Sequence, residues 1–202
     1  MIRPKLSLVI PTYTITKELE EIAIRSVSSY VDHVDELIVC EDGGMLSYNL
    51  LQIADSYIYN KDNLGFSGNV NRGWRYAKGE YVAIVNSDTQ LESGELYDLC
   101  VPGKVTSPHI TNQHIERLAG PFWVAPREVT KERGYLLEDM RTYSSDSDYD
   151  HRIKDIFEKV PSVKIFHLQA QTVTAAGVEG GEEQERDRQI YQKLIEKGEA
   201  SA

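Results

Sequence analysis

Short apolar runs alternate with amphipathic patterns over the first hundred residues. Apolar positions recur at three-to-four spacing over residues 19–34 and 70–77, which predicts two helices that Thr16 and Ser67 are suited to cap. Runs ended by polar residues, glycine or proline predict strands at residues 6–10, 37–40, 56–59 and 81–85. Alternating strands and helices are typical of a parallel sheet covered by helices, so the pattern predicts an α/β fold.

The pattern is less regular after about residue 100. Residues 120–126 are the only strongly apolar stretch before residue 160. Apolar spacing then predicts a helix over residues 148–159, a strand over 163–166 and a terminal helix over 182–197. The mixed charges of residues 182–188 are typical of a solvated helix face. Residues 177–183 are predicted to form a mobile loop.

Length and charge narrow the class of protein. The 202 residues leave room for one full domain, so residues 1–202 are interpreted as a single domain. A net charge of −10 argues against nucleic acid and anionic membrane surfaces as partners. The apolar runs are too short to span a bilayer and no secretory signal is recognised, so we expect no membrane span and a cytoplasmic protein. Cys40 and Cys100 are predicted to be reduced core residues.

Polar residues follow three of the predicted strands. They are Pro11-Thr12-Tyr13, Glu41-Asp42 and Asn86-Ser87-Asp88. Ligands of open α/β sheets bind at the carboxyl ends of the strands, so these clusters are expected on one rim. An aromatic ring can stack on a nucleobase, a carboxylate can accept a hydrogen bond from a base, and Asp88 can hold a divalent cation against a diphosphate. The sequence therefore predicts a nucleotide-diphosphate site.

These segments resemble the family-two inverting glycosyltransferases of the GT-A fold. Residues 8–13 and 38–44 match the first two strands of that family, and residues 63–73 match a segment seen especially in rhamnosyltransferase-like members. The strand that follows ends in Asn86-Ser87-Asp88-Thr89, where other members carry Asp-x-Asp. The resemblance implies a mostly parallel central sheet flanked by helices. It also implies a nucleotide-sugar-binding half at residues 1–100 and an acceptor-side half at residues 101–202.

The resemblance also implies roles for individual residues. Residues 143–152 are similar to the family's Tyr-x-Glu-Asp-x-Asp-x-x-x-Arg segment, so Asp146 is the implied catalytic base, with Ser145 in place of the usual Glu. Asp88 and His167 are the implied ligands of a divalent cation, Mn²⁺ or Mg²⁺. The implied donor-binding residues are Pro11, Thr12, Tyr13, Glu41, Asp42, Asn63, Gly65, Phe66, Asn69, Asn71, Arg72, Asn86 and Ser87. The implied acceptor-side residues are Trp123, Glu138, Asp139 and Asp148.

Together these features predict a hexosyltransferase. The donor is expected to be a pyrimidine nucleotide diphosphate carrying rhamnose or another hexose, and the acceptor a hydroxyl of a glycan, a lipid-linked sugar or a protein. One alternative is a non-catalytic nucleotide-sugar or glycan-binding module, since Asn86 and Ser145 replace carboxylates. A sugar nucleotidyltransferase is disfavoured because residues 11–16 contain no glycine to wrap phosphates. The chain is short for the family, which leaves the acceptor side to be completed by a loop closure or by a partner subunit in a homo-oligomer.

Overall fold

The fold is built on one eight-stranded sheet. A computed structural model describes residues 5–115, 117–118, 120–169 and 181–198. The strands are β1 (Leu6–Thr12), β2 (Glu36–Asp42), β3 (Ser56–Asn60), β4 (Tyr81–Val85), β5 (Thr89–Ser93), β6 (Val105–Ile110), β7 (Phe122–Pro126) and β8 (Phe157–His167). Their order across the sheet is β3-β2-β1-β4-β7-β6-β8-β5.

Helices cover both faces of this sheet. They are α1 (Lys17–Tyr30), α2 (Tyr48–Ile53), α3 (Gly65–Tyr76), α4 (Arg127–Arg133), α5 (Ser145–Ile153) and α6 (Glu182–Glu196), with 3₁₀ turns at Val31–His33 and Leu96–Leu99. Thr16 caps α1 as predicted, because its side-chain oxygen accepts a hydrogen bond from the Leu19 amide at 3.3 Å. The helix predicted over 182–197 is confirmed to within one residue as α6.

The sheet is parallel on one side and mixed on the other. β1 lies parallel to both β2 and β4, and β2 lies parallel to β3. β7 is antiparallel to β4 and β6, β8 is parallel to β6, and β5 is antiparallel to β8. The predicted α/β fold with a largely parallel sheet is therefore confirmed. Because β1, β2 and β4 are parallel neighbours, their carboxyl ends meet at one edge of the sheet.

An aromatic cluster joins the two halves of the chain. Trp74 of α3 lies edge-on to three rings, with centroids at 5.3 Å for Tyr135, 5.6 Å for Tyr149 and 6.4 Å for Trp123. Trp74, Trp123 and Tyr149 are at most 2% exposed. Such contacts between large aromatic rings add to the burial of apolar area, so the cluster holds α3 against β7 and α5.

The boundaries predicted for two elements of the second half are wrong. The helix predicted over 148–159 begins earlier and ends earlier, as α5, and β8 already starts at Phe157. The strand predicted over 163–166 is thus the second half of a longer one. Phe157 has helical spacing from Ile153, but it pairs with Val105 of β6, a partner that local spacing cannot reveal. Ser67 does not cap α3, which begins two residues before it. The Ser67 hydroxyl instead donates to the Met140 carbonyl.

The predicted core position is confirmed for Cys40 but not for Cys100. Cys40 and Cys100 form no disulfide among the described residues, and burial raises their pKa values to about 12 and about 11. Cys40 is fully buried, whereas Cys100 is only partly so. No helix in the described ranges has the length and apolar character needed to span a bilayer. The predicted loop over 177–183 lies partly outside the described residues, and Glu182 already belongs to α6.

Candidate active site

A cavity of about 560 Å³ opens at the carboxyl ends of β1, β2 and β4. Its walls come from both halves of the chain, including the loop before α3, the segment between Arg141 and Asp146, the end of β8 and one residue of α6. The lining residues are Pro11, Thr12, Tyr13, Asp42, Asn63, Gly65, Phe66, Asn69, Asn86, Ser87, Asp88, Gly120, Arg141, Thr142, Tyr143, Ser145, Asp146, His167 and Glu183. Thirteen of the residues predicted from the sequence therefore share one cavity.

Asp42 is the buried carboxylate at the end of β2. It is 4% exposed, and its Oδ1 accepts hydrogen bonds from the Leu64 amide at 2.8 Å and from Asn60 Nδ2 at 3.0 Å. Burial raises the pKa of Asp42 above its usual range, while these hydrogen bonds oppose the shift. Asn69 fixes the same corner, because it accepts from Asn60 at 2.9 Å and donates to the Cys40 carbonyl at 2.8 Å. Asp42 is thus held rigidly beside the cavity.

A turn at Asn63 leads into α3 and is tied to the second half of the chain. The Asn63 side chain accepts a hydrogen bond from the Gly65 amide at 2.9 Å. Arg141 Nη2 donates to the Asn63 carbonyl at 2.7 Å and to its Oδ1 at 3.1 Å. Gly65 has φ +77°, and a Cβ added there would lie 2.8 Å from Arg141 Cβ and from the Arg141 carbonyl oxygen. The close approach of Arg141 therefore requires glycine at position 65.

We expect Gly65→Ala to destabilise the fold and to weaken ligand binding in the cavity. A left-handed backbone costs a non-glycine residue about 1–2 kcal/mol, and the collision with Arg141 adds to that. Gly103→Ala is the matched control, since Gly103 has φ +70° and nothing within 4 Å of an added Cβ. Thermal melting should show the larger loss for Gly65→Ala. Equal losses for the two variants would contradict the contact with Arg141.

Pairing of β5 with β8 brings Asp88 next to His167. Thr89 lies opposite His167 in this antiparallel pair, and Asp88 Oδ1 is 3.1 Å from His167 Nε2. That contact lacks the alignment of a hydrogen bond, so Nε2 has no hydrogen-bond partner among the described residues. Gln113 Nε2 lies 3.0 Å from the other ring nitrogen and fixes the orientation of the imidazole. Asp88 and His167 therefore form a polar pair on the cavity wall.

The donor atoms at this end fit a divalent cation that is bound together with a diphosphate. Asn86 Oδ1 is, like His167 Nε2, a buried atom without a hydrogen-bond partner in the described part of the chain. A carboxylate, an imidazole and an amide oxygen are suitable ligands for Mn²⁺ or Mg²⁺. No group of three or more His, Cys, Asp or Glu side chains that could hold a metal occurs in the described ranges. Phosphate oxygens and water would have to complete such a site, as is usual for Mg²⁺.

Asp146 lies at the other side of the cavity, in the first turn of α5. The helix predicted over 148–159 would leave Asp146 just before its start, but α5 already begins at Ser145, after Ser144 turns the chain with φ +65°. Asp146 Oδ1 accepts from the Ser147 amide at 2.9 Å. Asp146 Oδ2 would be 3.1 Å from a Cβ placed on Gly120. Burial raises the pKa of Asp146 above its usual range.

The prediction that Glu41 lines the site is wrong about its position. Glu41 is fully buried, and its carboxylate accepts hydrogen bonds from the Thr12 hydroxyl at 2.8 Å, the Thr14 amide at 3.0 Å and the Gly44 amide at 3.0 Å. These hydrogen bonds occupy the carboxylate of Glu41, which is not among the residues that line the cavity. Glu41 joins the ends of β1 and β2 instead.

Six more predicted residues also lie outside the cavity. They are Asn71, Arg72, Trp123, Glu138, Asp139 and Asp148. The Asn71 amide group exchanges hydrogen bonds with the Leu136 backbone at 2.8 and 3.1 Å, and Glu138 pairs with Arg75 at 2.9 Å. Arg72 donates to Asn60, Trp123 belongs to the aromatic cluster, and Asp148 pairs with Arg152 at 2.8 Å. The Asp139 carbonyl accepts from Arg186 at 3.1 Å. These residues support the walls rather than line them.

Some lining residues were missed by the sequence analysis. They are Gly120, Arg141, Thr142, Tyr143, Ser145 and Glu183. Tyr143 and Ser145 lie inside the segment that carries Asp146, which was a usable signal. Arg141 and Glu183 follow no local pattern. The interpretation of residues 182–188 as a solvated helix face is wrong for Glu183, which lines the cavity, and for Asp187, which is fully buried.

Comparisons with known proteins identify the fold. The model of Glycosyl transferase family 2 matches residues 7–100, from β1 to the 3₁₀ turn after β5. A search of the curated proteins found no match. TarS from S. aureus is 15% identical, with a TM-score of 0.64 over 81% of this chain and 36% of that one. The fold is therefore that of the GT-A glycosyltransferases.

Two ligand complexes have the same fold. One is TarS 1-349 in complex with UDP-GlcNAc, which is 13% identical, with a TM-score of 0.65 over 85% of this chain and 61% of that one. The other is a mannosyltransferase from Pyrobaculum calidifontis in complex with GDP-Man and Mn²⁺, 14% identical, with a TM-score of 0.65 over 87% of this chain and 60% of that one. The chain thus spans less than two thirds of the length of these structures.

Proposed function

We propose that this chain is an inverting glycosyltransferase that moves a hexose from a pyrimidine nucleotide diphosphate to an acceptor hydroxyl. The observation that supports this function is a single cavity lined by Tyr13 and Asp42, by Asp88 and His167, and by Asp146. These three groups suit the nucleobase, the diphosphate and the acceptor in turn. Rhamnose is the first candidate sugar because residues 63–73 and Asn86-Ser87-Asp88-Thr89 resemble rhamnosyltransferase-like members.

Tyr13 and Asp42 would select the base of the donor. A single pyrimidine ring stacked on Tyr13 would direct its N3–H to the Asp42 carboxylate, which the Leu64 amide and Asn60 hold in place. The TarS complex contains UDP-GlcNAc, whereas the mannosyltransferase complex contains GDP-Man. The likeness of fold is therefore compatible with either base, and the preference for a pyrimidine rests on Asp42 and Tyr13.

Asp88 and His167 would hold a Mn²⁺ or Mg²⁺ ion at the diphosphate. When bound, such an ion neutralises the negative charge that grows on the leaving nucleoside diphosphate. Asn86 contributes an uncharged oxygen where other members have a second carboxylate, so the protein itself brings one negative charge to the ion. The affinity for the metal should accordingly depend on the presence of the diphosphate.

Asp146 would act as the general base. One of its carboxylate oxygens takes the proton of the acceptor hydroxyl while the acceptor oxygen forms a bond to the anomeric carbon. The bond from that carbon to the diphosphate breaks on the opposite side, which inverts the configuration. A raised pKa makes the Asp146 carboxylate a stronger base than an exposed aspartate, and such general base catalysis contributes about 10²–10⁴ in rate. The acceptor would be a glycan, a lipid-linked sugar or a protein hydroxyl.

The base preference can be measured by calorimetry with UDP and GDP. We expect UDP to bind more tightly than GDP. Tyr13→Ala should weaken UDP binding about tenfold, because stacking on an aromatic ring is worth about 1–3 kcal/mol. Asp42→Ala should weaken it by a similar factor, because it removes the acceptor of the N3–H hydrogen bond. Tyr48→Ala is the control, since Tyr48 is 71% exposed and lies outside the cavity. Equal affinity for GDP and UDP would overturn the pyrimidine assignment.

Slow release of UDP from a UDP-sugar into water separates an enzyme from a binding module. A glycosyltransferase should hydrolyse the donor slowly in the absence of an acceptor, because water can replace the acceptor hydroxyl beside Asp146. A module that only binds nucleotide sugars should bind UDP and release none from the donor. Tight UDP binding without any hydrolysis or transfer would therefore favour the non-catalytic alternative.

A further inference from the structure

Helix α6 packs against α5 and also makes polar contacts with the segment that precedes α5. Asp187 is its one fully buried side chain among the described residues. The Thr142 hydroxyl donates to Glu183 Oε2 at 3.1 Å, and Arg186 Nη2 donates to the Asp139 carbonyl at 3.1 Å. These contacts of α6, together with those of Asp187, all converge on residues 139–143.

Asp187 makes the closest of these contacts. Its Oδ2 accepts hydrogen bonds from the Thr142 amide at 2.7 Å and from the Tyr143 amide at 2.9 Å. Two successive backbone N–H groups that converge on one anion form an anion-binding nest, and hydrogen bonds to a carboxylate are stronger than those between neutral groups. The next residue, Ser144, has φ +65° and turns the chain into α5. The Asp187 carboxylate therefore fixes the turn from which α5 starts.

This turn lies between two anchors. On one side, the Ser67 amide donates to the Arg141 carbonyl at 3.2 Å, and the Ser67 hydroxyl donates to the Met140 carbonyl. On the other side, Asp187 binds the next two amides. Asp146 follows the turn by two residues, and its position in the cavity depends on how the turn is held.

Burial of the Asp187 carboxylate against α6's neighbours costs free energy of hydration. Asp187 Oδ1 has no hydrogen-bond partner among the residues that the structure describes, so part of the carboxylate's hydration is lost without replacement. An apolar side chain would attach α6 without that loss, but it could not orient two amides. The feature that distinguishes Asp187 is thus control over the backbone next to Asp146.

We propose that Asp187 is a positioning residue of the transfer reaction, whose carboxylate holds the amides of Thr142 and Tyr143 and thereby places Asp146 against the acceptor. This inference rests on the proposed function, in which Asp146 is the base. At the nucleobase end, Tyr13 and Asp42 follow β1 and β2, and the hydrogen bonds to the Asp42 carboxylate come from Asn60 and Leu64 rather than from residues 142–143. Loss of Asp187 should therefore affect the chemical step more than the binding of UDP.

The test compares Asp187→Asn with Glu185→Gln on the same helix. Asparagine keeps the size of the side chain but removes the charge that binds the two amides. We expect UDP release from a UDP-sugar to fall about tenfold or more, with UDP affinity within about twofold of the unmodified protein. Glu185 is exposed and bonds to Gln189 within α6 at 2.9 Å, so Glu185→Gln should change neither quantity.

Hydrogen exchange supplies a second readout on the full chain. The amides of Thr142 and Tyr143 should exchange faster in Asp187→Asn, while far-ultraviolet circular dichroism stays unchanged. Asp187→Glu keeps the charge, and its rate of UDP release should lie between those of the unmodified protein and Asp187→Asn. If Asp187→Asn does not fold, Asp187→Glu takes its place in every comparison.

Two results would overturn the role of Asp187. A rate of UDP release within twofold of the unmodified protein in both Asp187→Asn and Asp187→Glu would show that the Asp187 carboxylate does not position Asp146. A parallel loss of UDP affinity and of rate would show a merely structural role. Absence of UDP release and of transfer in the unmodified protein is a different outcome, which would overturn the proposed function itself and the role of Asp187 with it.

Discussion

Asp146→Asn should slow UDP release and sugar transfer by about two orders of magnitude or more, with UDP affinity unchanged within about twofold. Asparagine keeps the shape of the side chain and can still accept the hydrogen bond from the Ser147 amide, but it cannot take a proton from the acceptor. Steady-state rates together with calorimetry for UDP measure the two effects separately.

Asp148→Asn is the control for this experiment. Asp148 lies on the same helix, but it is 2% exposed and pairs with Arg152 at 2.8 Å, outside the cavity. The variant should lose about 1.5–3 kcal/mol of stability, as is typical of a hydrogen bond to a charged group, while its rate stays close to that of the unmodified protein. A normal rate for Asp146→Asn together with a slow one for Asp148→Asn would reverse the two roles.

The raised pKa of Asp146 predicts the pH dependence of both rate and stability. Because burial disfavours the ionised form, the folded state loses stability as the pH rises from the usual aspartate range through the raised pKa. Asp146→Asn should therefore melt higher than the unmodified protein above this window, and the difference should shrink below it. The rate of UDP release should rise through the same window, since the base must be unprotonated. A rate limb at the usual aspartate pKa would contradict this.

Asp88→Asn should abolish metal-dependent activity. Asn86 is already an amide, so the substitution removes the last carboxylate of the Asn86-Ser87-Asp88 segment and leaves the ion without a charged protein ligand. Titration with Mn²⁺ in the presence of UDP, followed by rate measurements, gives affinity and activity on the same samples.

Asn86→Asp is the matched variant, with the opposite expected effect on metal affinity. It introduces a second carboxylate, as in the Asp-x-Asp segment of the glycosyltransferases that this segment resembles, and we expect it to tighten Mn²⁺ binding about tenfold, because metal affinity depends on the number of charged ligands. Full activity of the unmodified protein in EDTA would show that the negative charge of the diphosphate is neutralised without a metal ion.

Most of the first half of the fold could be predicted because its signals are local. The strands β1, β2 and β4 are buried apolar runs, and α1 has an apolar stripe and a capping threonine. The boundary between α5 and β8 could not be predicted, because the spacing of Ile153 and Phe157 suits a helix while Phe157 pairs with a distant strand. Local spacing carries no information on that pairing.

The residues of the candidate site also fall into those that local sequence signals predict and those that they do not. Tyr13, Asp42 and Asp88 follow parallel strands directly, so the topology alone predicts that they share a rim. The same argument places Glu41 on the rim, but its carboxylate is bound by Thr12, Thr14 and Gly44 and does not line the cavity. Arg141, Glu183 and Asp187 reach the cavity or its supports through contacts between residues distant in the chain, and no sequence period marks such contacts.

The aromatic cluster between α3, β7 and α5 makes the junction of the two halves visible to fluorescence. The chain contains two tryptophans, Trp74 and Trp123, and both lie in this cluster and outside the cavity. Indole emission therefore reports how the first half of the chain packs against the second half. A shift of that emission on addition of UDP would signal a rearrangement between the halves, transmitted over a distance from the ligand.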